Sequence, residues 1–442
     1  MDRLQPTPSV LDIANRLEEA GFEAWCVGGA IRDALLGGHP LDWDLASPAR
    51  PEDVIALFGR KRTIPVGIEF GTVSVLDREG VAHEITTFRR DVKTDGRHAV
   101  VEFGASLEDD LARRDFTINA IAYRPRTKEL RDPFGGQRDL DARIVRAVGD
   151  ASQRMREDRL RALRGIRFAS RYGFAIEAAT LAAIRESAAH LTRLSAERVQ
   201  QELVKTMEQV ALPGAALRHW RDSGALRVLV PALASLGDVA LATLDLLPRS
   251  SANRLTPQRT SNRVAALFLD VSGKAARDAL TALRFPKHEI AWTGTIVERW
   301  HRLAPAMAAA LGEGRPTDEQ VRRWLAAIGR TNVGGFMRVV SARWDALRSS
   351  GSAAPSAAAV RALYRRLSRG RLVEAIELGD LAVGGDELRA AGIPPGPLYA
   401  KILHALLELV LESPARNTPE ELMAAVRGIV AGEGADPSLR SG

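Results

Sequence analysis

The sequence predicts an α+β N-terminal part, a small mixed sheet with helices, followed by an all-helical remainder. Short apolar runs at 22–27, 72–77 and 81–88, bounded by glycine, proline and aspartate, are typical of strands. Beyond about residue 140 such runs stop and helical periodicity dominates. Because single cores stop growing near roughly 250–300 residues, a chain of 442 residues should form more than one domain.

The individual elements follow from local signals. A helix is predicted over 10–20, with Ser9 as its N-cap and Gly21 as its stop. A second helix over 51–58 places proline at the first helical position. The strands 72–77 and 81–88 form a hairpin around the loop 78–80.

Three further segments have distinct compositions. Residues 91–98 are polar without periodicity, which predicts a mobile loop. Residues 247–263 are predicted to form a polar loop with several arginines. These arginines would contact RNA phosphates, or the segment is a disordered surface loop. Residues 349–359 are rich in serine and alanine and are predicted to be a flexible linker.

Charge and cysteine content restrict the partners. The 62 Lys and Arg residues against 55 Asp and Glu give a net charge of +7, which permits a nucleic-acid partner. Cys26 is the only cysteine, so the sequence predicts no disulfide and no disulfide-linked partner, as in a reducing cytoplasm. No signal-peptide core and no run near 18 apolar residues is present. We therefore expect a cytoplasmic protein without a membrane partner.

The stretch 25–45 carries the strongest chemical signal. A buried strand is followed by Gly28 and Gly29 and then a helix over 30–36, so free backbone N–H groups favour a phosphate at this turn. Asp42 and Asp44 would share one strand face about 7 Å apart, with Trp43 pointing inward. Carboxylates combined with substrate phosphates are the usual ligands of Mg²⁺. The combination indicates nucleotidyl transfer.

Glu84 lies inside the second strand of the predicted hairpin. A third carboxylate beside the aspartate pair would complete a two-metal site or act as a base. An outward-facing strand glutamate is the alternative, and the sequence does not decide between them.

Residues 154–171 contain seven arginines and are predicted to form one amphipathic helix. Asp158 and Arg161 are then i,i+3 neighbours, which by itself is a helix pair worth about 0.2–0.5 kcal/mol. The functional alternative is base recognition. An Asp accepts from an exocyclic amine and an Arg donates to the adjacent ring nitrogen, a pattern that cytosine and adenine match and uracil and guanine do not.

Five stretches between about residues 25 and 205 carry a family resemblance. They are Gly28-Gly29-Ala-Ile-Arg32-Asp33 with Asp42-x-Asp44; Arg113-Arg114-Asp115-Phe-Thr-Ile-Asn; Asp132-Pro-Phe-Gly-Gly-x-x-Asp139-Leu; Glu157-Asp158-x-x-Arg161-x-x-Arg164-x-x-Arg167-Phe; and Glu197-Arg198-x-x-x-Glu202. In this order they resemble the class II CCA-adding tRNA nucleotidyltransferases, which belong to the poly(A) polymerase and tRNA nucleotidyltransferase family of the DNA polymerase beta-like superfamily.

The resemblance implies a nucleotidyltransferase head over 1–140, a helical neck over 141–210, a helical body over 211–345 and a helical, tRNA-binding tail over 346–442. It implies that tRNA, CTP and ATP are the partners and Mg²⁺ the cofactor, with the tRNA backbone read by shape. Residues 91–98 would be the loop that switches from C to A addition.

The resemblance also assigns the site residues. Asp42 and Asp44 would bind the metal and act in catalysis, with Glu84 as a further catalytic candidate. The nucleotide-binding residues would be Gly28, Gly29 and Arg32 at the triphosphate, Arg114 beside it, and Asp158 and Arg161 at the base, supported by Arg164 and Arg167.

Two departures from the family pattern are Trp43, where a small or aliphatic residue is usual, and the Arg/Ser-rich segment at about 235–265. The absence of a His-Asp dipeptide argues against a fused phosphohydrolase domain. The predicted reaction is addition of C, C and A to the 3′ end of tRNA.

Several alternatives stay open. A bacterial poly(A) polymerase is disfavoured by the 65–73 pattern and by the lack of a long basic C-terminal tail. Among split activities, the 91–98 loop disfavours CC-only addition, whereas A-only addition stays open. A noncatalytic tRNA-binding protein would show a degraded aspartate pair or phosphate loop. A small-molecule nucleotidyltransferase would not need the arginine-rich segment.

Overall fold

The computed structural model describes residues 3–65, 67–94, 99–248 and 259–433. The chain divides into two compact units. The first contains Met1–Ser235 and Ala282–Arg284, and the second contains Leu236–Thr281 and Phe285–Gly442. The α+β beginning and the helical remainder predicted from the sequence are confirmed. The four-part division into head, neck, body and tail stays a prediction.

The strands lie in the first unit. They are β1 (Trp25–Val27), β2 (Asp44–Ser47), β3 (Thr63–Ile64), β4 (Thr72–Leu76), β5 (Ala82–Thr87), β6 (Arg89–Thr94), β7 (Ala99–Phe103), β8 (Ala122–Arg124), β9 (Glu129–Arg131), β10 (Ile144–Val145) and β11 (Ala175–Ile176).

Seven of these strands form one mixed sheet, in the order β3-β4-β5-β2-β1-β8-β9. The β2–β5 pair is parallel and the other pairs are antiparallel. The β4–β5 hairpin predicted from the sequence is confirmed. The short parallel pair of β10 and β11 corrects the expectation that strands stop at about residue 140.

Eleven helices belong to the described part of the first unit. They are α1 (Pro8–Glu19), α2 (Gly29–Leu35), α3 (Pro51–Phe58), α4 (Leu107–Ala112), α5 (Gly136–Asp141), α6 (Ala151–Glu157), α7 (Leu160–Tyr172), α8 (Ala178–Ser187), α9 (Ala196–Gln209), α10 (Pro213–Asp222) and α11 (Ala225–Leu229).

One core cluster of the first unit lies between the sheet and α4. Trp25, Val27 and Ala46 on β1 and β2 pack with Leu107 and Leu111 on α4, all of them buried. Burying each large apolar side chain contributes about 1.5–3 kcal/mol. Because β1 and β2 are held by this packing, the turn after β1 and the beginning of β2 have defined positions.

Some local predictions were wrong in ways that have a physical reason. Helix α1 begins at Pro8 with Thr7 as its cap, not Ser9, because proline suits the first helical position. Residues 91–94 belong to strand β6, which pairs with β7, so this half of the predicted mobile loop is a strand. Residues 95–98 lie outside the described residues.

The arginine-rich segment 154–171 is two helices, not one. Helix α6 ends at Glu157, and Asp158 has extended backbone angles, φ −146° and ψ 105°. Its side-chain oxygen Oδ1 accepts a hydrogen bond from the backbone N–H of Leu160, 3.1 Å away. An Asp whose side chain accepts a hydrogen bond from the backbone N–H two residues ahead favours a turn over a continued helix. Asp158 therefore sits at a corner between α6 and α7.

The described residues of the second unit form helices joined by short connections, without a strand. Its helices are α12 (Asp238–Leu246), α13 (Arg259–Leu267), α14 (Gly273–Ala282), α15 (Lys287–Glu313), α16 (Asp318–Ile328), α17 (Val333–Ser349), α18 (Ala357–Val373), α19 (Gly385–Ala390), α20 (Pro397–Glu412) and α21 (Pro419–Glu433).

Within this unit, two sequence predictions need correction. The predicted linker 349–359 shortens to residues 350–356, because α17 continues to Ser349 and α18 begins at Ala357. Of the predicted loop 247–263, residues 249–258 are outside the described residues, while Arg259 and Arg263 lie in α13. Arg263 is buried and donates to the carbonyl of Leu247, so it is not available to RNA.

Among the helices of the described segments, none combines the length and apolar character that crossing a bilayer requires.

Candidate active site

A cavity of about 460 Å³ lies in the first unit. Eight of the eleven residues predicted for the site line it, and these are Gly28, Gly29, Arg32, Asp44, Arg114, Asp158, Arg161 and Arg164. Asp42, Glu84 and Arg167 lie outside its wall. Its wall also contains six residues absent from the prediction, namely Arg113, Asp115, Asn119, Leu160, Phe168 and Arg198.

The turn between β1 and α2 forms one side of the cavity. Gly28 has φ 79° and ψ −138°, a conformation that L side chains rarely adopt. A Cβ on Gly28 would lie 3.2 Å from Nη1 of Arg114 and 3.8 Å from Oδ2 of Asp44. The glycine thus lets a guanidinium and a carboxylate approach the backbone closely. The strand–glycine–helix order predicted from the sequence is confirmed.

Three carboxylates lie near the beginning of β2. The parallel register pairs Leu45 with Ile85, so Asp44 and Glu84 are adjacent on the face opposite these buried residues. Asp42 precedes the strand and is exposed, while Trp43 packs inward as predicted. Burial, followed by the charges of Asp42 and Glu84, raises the pKa of the Asp44 carboxyl to about 6, against the opposing charge of Arg114.

These carboxylates are the donors available to a metal ion. No group of three or more His, Cys, Asp or Glu side chains within the described segments is arranged to hold a metal by itself. Carboxylate oxygens are hard donors, and Mg²⁺ is commonly held by one or two carboxylates together with substrate phosphates and water. The donor set around Asp44 therefore fits a divalent cation that shares its ligands with a bound triphosphate.

Arg32 is a buried cation that reaches the cavity. Its Nε donates to Oδ1 of Asp33 at 2.8 Å, and its Nη1 donates to Oδ1 of Asn119 at 2.6 Å. Its guanidinium lies 5.0 Å from the ring centre of Phe168 and 4.9 Å from that of Tyr172. The Tyr172 hydroxyl donates to the same Asp33 oxygen at 2.7 Å. Two rings from α7 thus support a cation of α2.

Arg113 and Arg114 share one buried partner. Asp110, which is fully buried, accepts from Arg113 Nε at 2.9 Å and from Arg114 Nη2 at 3.2 Å. Arg114 Nη1 also donates to the backbone carbonyl of Asn119 at 3.5 Å. One carboxylate therefore orients two guanidinium groups at the cavity wall.

Asp115, which is buried, pairs with the partly exposed Arg164. Arg164 Nε donates to Oδ2 of Asp115 at 2.8 Å, and Asn119 Nδ2 donates to its Oδ1 at 2.8 Å. Burial raises the pKa of the Asp115 carboxyl. The charge of Arg164, the hydrogen bonds from Asn119 and Arg164, and the charge of Arg161 outweigh burial, so this pKa is below its ordinary value. Asp115 is thus held ionised at the cavity wall.

The two predicted base-reading residues both face the cavity but do not pair through their side chains. Asp158 Oδ2 accepts from Arg198 Nη2 at 2.7 Å. Arg161 Nη1 donates to Oε2 of Glu157 at 2.7 Å, and its Nη2 donates to the carbonyl of Arg113 at 2.9 Å. Each side chain is therefore oriented by an ion pair with another residue.

Arg167 lies behind the cavity wall. It is 3% exposed and pairs with Glu202 of α9, and its Nη1 donates to the side chain of Gln209 at 3.1 Å. Its guanidinium also lies 4.5 Å from the centre of the Phe168 ring. Any effect on a nucleotide passes through its neighbours, so its predicted supporting role stays a prediction.

Sequence reasoning missed Arg198 as a site residue. The signal was present in the stretch Glu197-Arg198-x-x-x-Glu202, in which Arg198 and Glu202 are one helical turn apart on α9. The structure shows that these two positions pair with Asp158 and Arg167 respectively. Reading the stretch as two ion-pair partners of the arginine segment would have found it.

The cavity has the composition of a nucleotide site. Six arginines line it against three aspartates, and the carboxylate group at Asp44 lies beside the glycine turn. Cations around a developing pyrophosphate together with carboxylates for a metal are the components of metal-assisted transfer to phosphorus. The fold and the cavity are those of a nucleotidyltransferase.

Comparison with known proteins supports this class. Residues 24–146 match the family described as "Poly A polymerase head domain". Residues 173–236 match the family described as "Probable RNA and SrmB- binding site of polymerase A". The two matched segments contain the sheet and the region that includes α9 and α10.

Relatives that match over nearly the whole chain identify the family more specifically than these two domain matches. The CCA-adding enzyme of Geobacillus kaustophilus (strain HTA426) is 36% identical over 425 residues, covering 95% of this chain and 96% of the relative. That of Latilactobacillus sakei subsp. sakei (strain 23K) is 34% identical, covering 94% and 97%. The crystal structure of the Bacillus stearothermophilus CCA-adding enzyme in complex with CTP has a TM-score of 0.72 and 31% identity, and the match covers 96% of this chain and 100% of that one.

The chain therefore belongs to the family of CCA-adding enzymes. It is a nucleotidyltransferase, and nucleotidyltransferases of this family generally use divalent metal ions.

Proposed function

We propose that this protein adds C, C and A in that order to the 3′ end of tRNA, using CTP and ATP with Mg²⁺ as the divalent ion. One observation carries the proposal: a single cavity contains the glycine turn, Asp44, and the candidate base-reading residues Asp158 and Arg161. A nucleotide with its triphosphate at the turn and its base at α7 would occupy that cavity.

In the proposed reaction, the terminal 3′-hydroxyl oxygen of the tRNA forms a bond to the α-phosphorus of the nucleotide, and its proton passes to solvent water. The bond from that phosphorus to the oxygen of the β-phosphate breaks, and pyrophosphate leaves. Arg32 and Arg114 lie at the turn, where their charges would bind the triphosphate and stabilise the leaving group. Asp42 and Asp44 would hold the metal ion, which would supply Lewis-acid stabilisation and would lower the pKa of the attacking hydroxyl. Glu84, beside Asp44, would supply a further oxygen donor.

Base selection would use Asp158 as acceptor and Arg161 as donor. Cytosine and adenine present an amine next to an unprotonated ring nitrogen, which this pair satisfies. Uracil and guanine present a carbonyl and an N–H, which would set an acceptor against the Asp158 carboxylate and a donor against the Arg161 guanidinium. We also propose that the protein is cytoplasmic and that it divides into head, neck, body and tail.

The test uses tRNA transcripts that end before CCA, after C and after CC. Each is incubated with Mg²⁺ and single nucleotides, then with CTP plus ATP, and the products are sized at single-nucleotide resolution. We expect three additions that stop at CCA, loss of transfer in EDTA, and recovery on adding Mg²⁺. Addition of A to the CC-ended transcript alone would indicate a split pathway. Runs of A on any RNA would indicate a poly(A) polymerase, and no transfer would refute the proposal.

Two substitutions test the residue roles. Asp42→Ala should abolish transfer while tRNA binding survives, whereas Asp12→Ala, an exposed aspartate of α1, should leave transfer unchanged. Arg161→Ala should relax base choice, because it removes the donor that faces the ring nitrogen. Unchanged turnover in the first variant, or unchanged discrimination against UTP and GTP in the second, would contradict the assignments.

A further inference from the structure

Asn119 lies between two arginines that belong to different parts of the candidate site. Arg32 is at the glycine turn, since a Cβ on Gly29 would be 3.2 Å from its Nη2. Arg164 is on α7 and lines the same cavity as the candidate base-reading residue Arg161. Asn119 lines this cavity too and is only 6% exposed. Its side chain is therefore placed to connect the turn with α7.

The amide of Asn119 makes a hydrogen bond at each of its two ends. Its Oδ1 accepts from Nη1 of Arg32 at 2.6 Å, and its Nδ2 donates to Oδ1 of Asp115 at 2.8 Å. The other carboxylate oxygen of Asp115 accepts from Nε of Arg164 at 2.8 Å. A continuous hydrogen-bonded chain therefore joins Arg32 to Arg164.

The chemistry of the two neighbours explains why an amide lies between them. A guanidinium donates hydrogen bonds and cannot accept them, whereas an ionised carboxylate only accepts. The group between Arg32 and Asp115 must therefore accept on one side and donate on the other. An aspartate at position 119 would place two carboxylates together. A leucine, which has a similar size, would remove both hydrogen bonds.

The backbone around Asn119 is held in place. The residue ends the short 3-10 turn Thr117–Asn119, and its N–H donates to the carbonyl of Phe116 at 2.9 Å. The hydroxyl of Thr117 donates to Oδ2 of the buried Asp139 at 2.7 Å. Because the amide has a defined position, a shift of one charged neighbour is passed to the other and is not absorbed by movement of residue 119.

The ring of Phe168 makes a second connection between the same two arginines. Its centre lies 5.0 Å from the guanidinium carbon of Arg32 and 5.3 Å from that of Arg164. Cations within about 6 Å of the centre of an aromatic ring are attracted to it. A displacement of either guanidinium therefore changes how the ring packs against the other.

We propose that Asn119 is a positioning residue that couples triphosphate binding at Arg32 to base binding beside Arg164. The inference rests on the proposed function, which places the two ends of one nucleotide at these arginines. An anion that fixes Arg32 orders the shared chain, so a base that enters beside Arg164 then costs less conformational entropy. Because coupling is reciprocal, a bound base strengthens triphosphate binding by the same factor. A nucleotide with the wrong base is thus held less tightly at its triphosphate as well.

The test separates the two halves of the nucleotide by using pyrophosphate and cytidine as probes. Calorimetry measures the dissociation constant of cytidine without pyrophosphate and with saturating pyrophosphate, and the ratio of the two constants is the coupling factor. For the wild type we expect a factor of about five, the lower end of typical coupling. Asn119→Leu should weaken the binding of each probe a few-fold and reduce the coupling factor to below about two. Adding Phe168→Leu should remove what is left of the coupling.

Two variants are matched controls. Phe116→Leu alters a fully buried ring that packs edge-on against Phe168, with 5.9 Å between the ring centres. It should lower the stability to urea but keep both affinities and the coupling factor. Tyr172→Leu removes the hydroxyl that donates to Asp33 and a ring 4.9 Å from the guanidinium of Arg32. It should weaken pyrophosphate binding and leave the coupling factor unchanged, because the chain through residue 119 is intact.

The outcomes separate the coupling from the proposed function. A coupling factor of one in the wild type would overturn the coupling, even where the wild type adds CCA to tRNA. Weaker binding of both probes to Asn119→Leu with an unchanged factor would overturn it as well, and so would an equal loss of coupling in Phe116→Leu. If the wild type shows the coupling and Asn119→Leu loses it, but the wild type adds no CCA, the proposed function is refuted and the link between the anion and base sites stands.

Discussion

The buried pair of Arg167 and Glu202 offers a quantitative test of how the wall of the candidate site is held. Both residues are almost completely buried, at 3% and 2% exposed. The pair joins α7, which carries Arg161 and Arg164, to α9, which carries Arg198. Glu202→Leu removes the carboxylate and leaves the guanidinium buried with the side chain of Gln209 as its hydrogen-bonding partner.

Removing one partner of a buried ion pair costs about 3–5 kcal/mol, because the remaining charge is uncompensated. Replacing both partners by apolar side chains of similar volume is often close to neutral. We therefore expect Glu202→Leu to lower the free energy of unfolding of the first unit by about 3–5 kcal/mol. The double variant Arg167→Met/Glu202→Leu should recover most of that loss, although it also gives up the contact of Arg167 with Phe168.

Urea unfolding, followed by tryptophan fluorescence and circular dichroism, measures these differences. Glu129→Leu is the control, since Glu129 pairs with Arg131 at the surface and such pairs contribute at most about 1 kcal/mol. A double variant as unstable as Glu202→Leu would refute the ion-pair reasoning. If CTP binding is lost in a double variant that folds normally, the ion pair sets the geometry of the cavity wall and does not only stabilise the fold.

Three further predictions concern the first unit. Gly28→Ala should cost about 1–3 kcal/mol in urea unfolding and weaken CTP binding, because its φ is +79° and its Cβ would crowd Arg114; unchanged affinity would contradict this. Tyr172→Phe keeps the ring under the arginine but loses the hydrogen bond to Asp33, so KM for CTP should rise a few-fold with kcat nearly unchanged. Burial, followed by the charge of Asp44, raises the pKa of the Cys26 thiol, so a thiol reagent should label it at pH 8 only after unfolding in urea; rapid labelling of the native protein would refute its burial.

Local features of the site were accessible from the sequence because neighbouring residues determine them. Gly28 and Gly29 follow an apolar strand, and only glycine suits the backbone angles found at Gly28. Trp43 points inward, as the alternation between Asp42 and Asp44 predicted. The helix predicted over 51–58 has the same bounds in the structure, and proline marks its start.

The positions that could not be predicted depend on contacts between distant residues. The helical periodicity of 154–171 is continuous, yet the chain turns at Asp158. The carboxylate of Asp158 accepts hydrogen bonds from the backbone N–H of Leu160 and from the guanidinium of Arg198. Arg198 lies 40 residues further along, so no window of helical length contains both partners. Likewise, the adjacency of Glu84 to Asp44 follows from the parallel pairing of β2 with β5, which local patterning does not specify.

The ion pairs of the proposed base-reading residues leave them free to bind a nucleotide. A carboxylate has about four acceptor positions. Among the residues that the structure describes, the side chain of Asp158 accepts two hydrogen bonds, from Leu160 and Arg198. A guanidinium has five N–H donors. Arg161 uses two on Nη1 and one on Nη2 for contacts within the described residues, which leaves one N–H on Nη2 and that on Nε.

The existing partners therefore orient both groups without exhausting them. A cytosine or adenine edge would add its hydrogen bonds to those already present, so no ion pair has to break when the nucleotide enters. Because the groups are already held, little side-chain entropy is lost on binding, and a mismatched base cannot be accommodated by a simple rotation of Asp158 or Arg161. In this proposed arrangement, the discrimination between bases depends on Glu157 and Arg198 as much as on the two side chains that would touch the base.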